Sequence, residues 1–476
     1  MTTNPRRVPV VVVLAALLGG LALVEVDDVA PEEFGNATAF SMPVADGAEA
    51  LTSTWFCAAS ATGADGEADL VLSVANVGDE GRAGTVTWMP AEGDTVTTPV
   101  EVGPRQGVML ASGDAVDVAA VSAIVELDGG GVAVEHTVGG GDGGALSPCS
   151  PAASDRWYLA NGATTRDATQ VLVLFNPFPD DAVVDVTFST DQGREAPEAL
   201  QGLPVPARST TRVNVGEVVR RRTVTATTVA ARTGRLVVDR LQRFNGSEGR
   251  TGLSLALAAP ALAEVWAFPA GERDEGLEER WHVYNPGDRD AVVIVEVVPD
   301  SGEVPFPVEL TVPARSQLVV DAAETAAVPA GVGHSSTVRS VNGVPVVAER
   351  ELSGSAPSSR RGWSSALGSP RTAERWLLAS GEGSGEVDER LIVHNPGAEP
   401  VRFSVTALTG ERSSVVEGLG DVELGPAARR EIDMADLLPG GSRPLVVAAD
   451  GPVVVERDLS SAVDVGISTV MGVPLP

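Results

Sequence analysis

Four short markers recur in the same order and at near-constant spacing, and this periodicity constrains the fold more tightly than any single residue. An opening tryptophan comes first: Trp55 in WFCAAS, Trp157 in WYLANG, Trp266 in WAFPAG and Trp376 in WLLASG, separated by 102, 109 and 110 residues. An alternating apolar segment then ends at Asn76, Asn176, Asn285 or Asn395, at intervals of 100, 109 and 110. The third marker is an apolar stretch closing on arginine, with VEVGPR at Arg105, LPVPAR at Arg208, LTVPAR at Arg315 and VELGPAAR at Arg429. The fourth is a valine-rich run ending in an acid and a base: Glu135-His136, Asp239-Arg240, Glu349-Arg350 and Glu456-Arg457. Three copies close with glycine, an apolar residue and serine ahead of a proline, beginning at Gly252, Gly362 and Gly466.

Within each copy the apolar segments are short, rich in valine and often alternating, as half-buried strands are. The Asn-Pro segments read as turns, and DGGG at Asp128, TGR at Thr233, NGV at Asn342 and DGP at Asp450 read as hairpins. Seven or eight strands in about 105 residues match a two-sheet antiparallel sandwich. The expected fold is all-β, with four tandem antiparallel β-sandwich (immunoglobulin-like) domains after an N-terminal transmembrane or signal helix, strung out as a rod or arc. The predicted domains span 54–150, 151–261, 262–371 and 372–476, preceded by an anchor at 1–26 and an acidic tether at 27–53.

Composition narrows function by exclusion. Sixty-five carboxylates against 34 basic residues leave a net charge of −31, which disfavours nucleic acid. The chain has no lysine, so a P-loop lysine, a Schiff-base lysine and a lysine general base are excluded. Four histidines and two cysteines leave little for nucleophilic or zinc chemistry, and none has zinc-ligand spacing. No cofactor is expected.

The order W-x-x-A-x-G, N-P, V-P-A-R, V-V-x-E-R and G-x-S resembles a β-sandwich repeat of secreted and surface-anchored actinobacterial proteins, a family of unknown function. The resemblance covers nearly everything beyond residue 52. It is weakest in the first copy, which has Asn76-Val77 for Asn-Pro, Gly103-Pro104 for Pro-Ala and His136 for arginine. It implies a fold and a location and carries over no catalytic residue. The absence of lysine, whose codons are A-rich, also fits a high-GC genome.

Arg6 and Arg7 precede a run of 17 uncharged residues from Val8 to Val24, and Glu25, Asp27 and Asp28 follow it. Such a run sits at the lower edge of a membrane-spanning length, and its flanking charges place the body outside the cytoplasm. The run ends Leu23-Val24-Glu25 without an A-x-A-like site, which favours an uncleaved anchor over a cleaved signal peptide.

Cys57 and Cys149 both fall in the first copy, and an oxidising compartment predicts a disulfide between them. It would close a 92-residue loop, worth on the order of 4 kcal/mol. The alternative is a reactive or metal-binding thiol. The G-x-S serines lack the second glycine of a hydrolase elbow and read as strand residues.

Neighbours on a strand point to opposite faces, so an acid and the base beside it cannot pair with each other. One of them faces the sandwich and requires a partner. Arg208, Arg315 and Arg429 are the candidate partners for Asp239, Glu349 and Glu456. With Arg240, Arg350 and Arg457 these residues form a structural ion-pair or interdomain set, the alternative being a ligand site. Asp79, Glu80, Asp180, Asp181, Asp288 and Asp290 read as solvated turns, with calcium ligation as the alternative.

The expected function is non-catalytic: a membrane-tethered extracytoplasmic protein for adhesion, envelope scaffolding or partner presentation. A cell-wall glycan binder is the alternative, signalled by exposed aromatics. For the opening tryptophans core packing is favoured over that role. An envelope hydrolase with paired carboxylates ranks third. The expected partners are an envelope protein or glycan, and the membrane through the N-terminal segment.

Overall fold

A computed structural model describes residues 41–58, 70–116, 120–140, 143–380, 387–435, 437–438, 443–461 and 465–476. The expected anchor at 1–26 lies outside them. Among the described residues no helix is long and apolar enough to cross a membrane.

The described chain is almost entirely antiparallel sheet, and the sheets come in sandwich-like pairs that follow the sequence repeats. The third repeat shows the plan. One sheet orders Ser316–Asp321, Leu277–Asn285, Val347–Gly354 and Gly362–Leu367; the facing sheet orders Val265–Gly271, His334–Ser340, Ala291–Pro299 and Val308–Val312. In the fourth repeat the 17-residue strand Leu445–Ser461 takes part in both layers, pairing with Ala373–Leu378 through its first half and with Val387–His394 through its second. Helix is confined to single turns such as Val215–Val218.

The repeated letters are explained by this plan. The opening tryptophans Trp55, Trp157, Trp266 and Trp376 are at most 1% exposed. Three of them donate their indole N–H to the strand carrying the acid and base or to its approach: Trp157 to Leu236, Trp266 to Val346 and Trp376 to Val453. They combine large apolar burial with a satisfied polar handle. Each repeated asparagine staples a turn. Asn285, for instance, donates to the carbonyls of Arg289 and Val312 and accepts from the N–H of Gly287, and Asn76, Asn176 and Asn395 do the same at their own turns.

The third marker is a turn and does not supply the cations that the acids of the fourth marker need. Arg105, Arg208 and Arg315 have φ of 49°, 49° and 55°, and each N–H bonds a carbonyl of the asparagine turn. In the fourth repeat the residue in that conformation is Ala427, with φ of 54°, so Arg429 lies two places beyond the true equivalent.

The repeats form a ring, where a rod or arc was expected. The closing strand of each repeat packs against the closing strand of the next: Gly143–Pro148 on Thr251–Leu257, that on Gly362–Leu367, that on Ile467–Met471, and the last back on the first. Serines stitch the circle. Ser147 Oγ accepts from Leu257 N, Ser254 Oγ from Ser365 N, Ser364 Oγ from Thr469 N and Ser468 Oγ from Leu146 N, all at 3.0–3.2 Å. The G-x-S motif is therefore a joint. Its glycine is required because a Cβ on Gly252 would stand 2.5 Å from the amide of Trp363, and one on Gly362 2.8 Å from that of Ile467.

Residues 41–51, assigned above to a tether, lie against one end of this ring. Ala45 N bonds Pro474 O, Gly131 N bonds Asp46 O, and Met42 covers an apolar hollow between the closing strands, its sulfur accepting from Ser369 Oγ. Met42 and Ala45 bury apolar surface there, which outweighs the acidic, linker-like composition of the segment.

Gly362→Ala will destabilise the fold by at least about 2 kcal/mol, because it adds a methyl group at a close approach and strains a φ of +143°. Chemical denaturation measures this; Gly139→Ala, where a Cβ meets nothing within 4 Å, is the control and should change little.

Candidate functional site: a circuit of buried ion pairs

The acid and base of the fourth marker are buried in every repeat: Glu135, His136, Asp239, Arg240, Glu349, Arg350, Glu456 and Arg457 are at most 1% exposed. Cross-strand register explains how both faces of one strand become covered. Arg350 stands opposite Trp281, which points into the sandwich, so the guanidinium lines the sandwich interior, 6.0 Å from the Phe268 ring. Glu349 points the other way, out of its own repeat and into the preceding one.

Each base thus meets the acid of the next repeat. His136 Nε2 lies 3.0 Å from Asp239 Oδ2. Arg240 Nη1 donates to Glu349 Oε2 at 2.7 Å and Arg350 Nη2 to Glu456 Oε1 at 2.6 Å. Arg457 Nη1 lies 3.8 Å from Glu135 Oε2, which closes the circuit. Arg208 and Arg315, the partners expected from sequence, make no ion pair among the described residues. Their side chains project from left-handed turns that the asparagine staples hold elsewhere. Arg429 does bridge repeats, but to Asp300, through two bonds of 2.8 Å.

The acids also bind backbone. Glu349 Oε1 accepts from Ala160 N (2.7 Å) and Asn161 N (3.2 Å), and Glu135 accepts from Ala379 N (3.1 Å) and Ser380 N (2.8 Å), in each case just beyond an opening tryptophan. Arg240 and Arg457 each donate to a carbonyl of the same loop, at Asn161 and Ser380. A buried carboxylate is tolerable because N–H groups and a guanidinium surround it.

Glu456 has fewer donors. The residue three beyond Trp266 is Pro269, which has no N–H, and only Ala270 N reaches the carboxylate, at 3.0 Å. Burial pushes Glu456 up to about 7, with Asp458 adding to the rise and Arg350 and the Ala270 amide opposing it. Glu351 contrasts with it. Burial would raise its carboxyl, but His282 at 2.9 Å, Arg280 and the Asn161 amide hold it far below the usual carboxylate range.

The first repeat varies the theme. Cys57 and Cys149 form a disulfide, and His136 Nδ1 lies 3.3 Å from Cys149 Sγ. The three groups gather within 4.8 Å. With both sulfurs bonded to each other, neither is the thiolate that a zinc or nucleophilic site needs. Elsewhere the same two positions hold a large and a small residue, Leu159 with Ala258, Phe268 with Gly368 and Leu378 with Gly472. A Cβ on Gly368 would meet Phe268 Cζ at 2.7 Å. That size complementarity is readable in the sequence once the repeats are aligned, and it was missed.

The turn carboxylates serve their turns: Asp181 and Asp290 accept from the N–H of Ala207 and Ala314, and Asp79 lies 3.4 Å from Arg105. Sequence reasoning also missed a second set of bridges between the third and fourth repeats. Arg360 holds Asp458 at 2.5 and 2.6 Å, and Glu272 holds Arg360 at 2.7 Å and Arg390 at 3.1 Å. No repeated motif marks them.

Arg350→Met, which strands Glu456, will cost about 3–5 kcal/mol, whereas Arg350→Met with Glu456→Leu will recover most of that loss. A double-mutant cycle in urea checks both. Glu456 also carries a pH signature. Its value in the folded state, about 7, lies above the 4.5 of an exposed carboxyl. Between those pH values the folded chain keeps a proton that the unfolded chain has released, so its contribution to stability falls as pH rises from about 4.5 to about 7. Measured against Glu456→Gln across that window, the native chain should lose on the order of 3 kcal/mol of relative stability. A flat or rising difference would contradict the assignment.

A family model described as "Family of unknown function (DUF5719)" matches residues 107–241 and 247–455. No curated protein matches the chain. Among solved structures, the Anabaena sensory rhodopsin transducer is 30% identical over 18% of this chain and 90% of its own, with a TM-score of 0.16. With the family model covering most of the chain, including the acid–base pairs of the first three repeats, the protein belongs to DUF5719, a family of unknown function.

Proposed function

We propose that this protein is a non-catalytic, extracytoplasmic scaffold of actinobacterial type, held at the membrane by residues 1–26. Each repeat is one immunoglobulin-like domain, and the four close into a ring that presents loops to an envelope partner. One observation carries this reading: the chemistry-bearing residues that recur in every repeat are spent on the neighbouring repeat. The acids and bases bind each other, and the G-x-S serines bind backbone amides. The buried disulfide fits an oxidising compartment. The buried opening tryptophans offer no platform for sugar stacking, and the circuit provides no accessible pair of carboxylates for glycoside hydrolysis.

The test is cell fractionation with protease accessibility. The native chain should pellet with membranes and be digested from outside in spheroplasts, and deletion of residues 1–26 should leave it in the cytosol. Recovery of the native chain in the cytosolic fraction would overturn the reading. In a cross-linked envelope pull-down the native chain should recover a partner that Arg350→Met loses in proportion to its loss of fold.

A further inference from the structure

The contact between the third and fourth repeats leaves open a space that its neighbour fills. Each repeat carries, one residue before its asparagine, a side chain on the face that meets the preceding repeat: Ala75, Phe175, Tyr284 and His394. Tyr284 reaches back to the second repeat, where its hydroxyl lies 2.8 Å from Thr228 Oγ1. Thr337 is the equivalent of Thr228 in the third repeat, since both stand opposite the residue that follows the opening tryptophan. His394 is too short to do there what Tyr284 does. A groove of about 780 Å³ remains, with Glu296, Ser335, Thr337 and Arg339 on one wall and His394 and Pro396 on the other.

The polar groups of this groove are poised for a ligand. His394 is 3% exposed, and its Nδ1 lies 3.1 Å from the carbonyl of Ala428. That oxygen can only accept, so Nδ1 carries the ring proton. Burial pushes the imidazole down to about 4, with Arg429 acting in the same direction, so the ring is neutral near pH 7 and Nε2 keeps a free lone pair. Among the described residues nothing donates to that nitrogen, and nothing bonds the hydroxyls of Ser335 or Thr337. Arg339 and Glu296 pair with each other, which leaves no net charge.

Two further observations select the ligand class. Strand His334–Ser340 is paired on both sides, so a peptide cannot add to it as a strand and recognition falls to side chains. The loop 300–307 at the rim supplies Val304, Pro305 and Pro307 to the groove and carries Phe306, which is 91% exposed. It is the one fully exposed aromatic among the described residues. Hydroxyls, a neutral acceptor and an aromatic ring match a molecule with many hydroxyls and apolar C–H faces.

We propose that this groove binds a neutral oligosaccharide, with one hydroxyl donating to His394 Nε2, others bonded to Ser335, Thr337 and the Arg339–Glu296 pair, and a sugar face packed on Phe306. The site goes beyond the scaffold reading, which would survive its failure.

The experiment titrates the full chain, in a detergent without sugar headgroups, with chitotetraose, cellotetraose and maltotetraose by calorimetry. At least one should bind saturably. Thr337→Val, His394→Phe and Phe306→Ala should each weaken it about tenfold or more, while Thr228→Val, at the filled contact, should leave it unchanged. Phe306 is exposed, so its variant keeps the test valid should a wall variant fail to fold. The absence of saturable binding by all three sugars up to about 10 mM, or Phe306→Ala and Thr337→Val binding like the native chain, would overturn the proposal.

Discussion

A charge removed from water must be met by another, and here the acid and the base of one marker cannot meet each other. The acid and the base are consecutive residues on a strand, so they face opposite ways. The base turns into its own sandwich and the acid into the preceding one. Every repeat therefore lends a carboxylate backward and receives one from ahead. An open array would leave Glu135 buried without a cation at one end and Arg457, at the other, with Glu389 of its own repeat alone, at a cost of several kcal/mol. Ring closure removes that cost. The tryptophans, glycines and serines of the other markers hold the strands at the distances the circuit needs.

The four contacts obey one rule with local variations. Between the first and second repeats the base is a histidine beside the disulfide. Between the third and fourth, Pro269 withholds a backbone donor from Glu456, and a histidine replaces the tyrosine that fills the preceding contact. The shared rule maintains the ring. The variations are where this protein has departed from its own repeat.

Strand positions, turns and the cysteine pairing were legible because they depend on local patterns: alternation, Asn-Pro segments, and two cysteines in a single repeat. The ring was not. A tandem periodicity is the same for a rod and a circle, and only contacts between the first and fourth repeats, such as that of Gly143–Pro148 with Ile467–Met471, distinguish them. The partners of Asp239, Glu349 and Glu456 were misassigned for a related reason. The need for a cation was correct, but spacing cannot say whether that cation belongs to the same repeat or to the one before. Arg208 and Arg315 looked suitable by charge, while their left-handed backbone shows that they were placed by a turn. The groove at His394 was hidden because its signal is an empty space, visible only against Tyr284.

The head-to-tail relation of base to acid is the same at every contact and returns to its start after four steps. That is the geometry of a heterologous interface whose rotation closes. One ancestral repeat, holding both halves of the pair, would have completed the same circle with three copies of itself as a cyclic homotetramer. In a single chain the four units are free of the identity that such symmetry imposes, and this is what admits a disulfide in one quarter and an open cleft between two others.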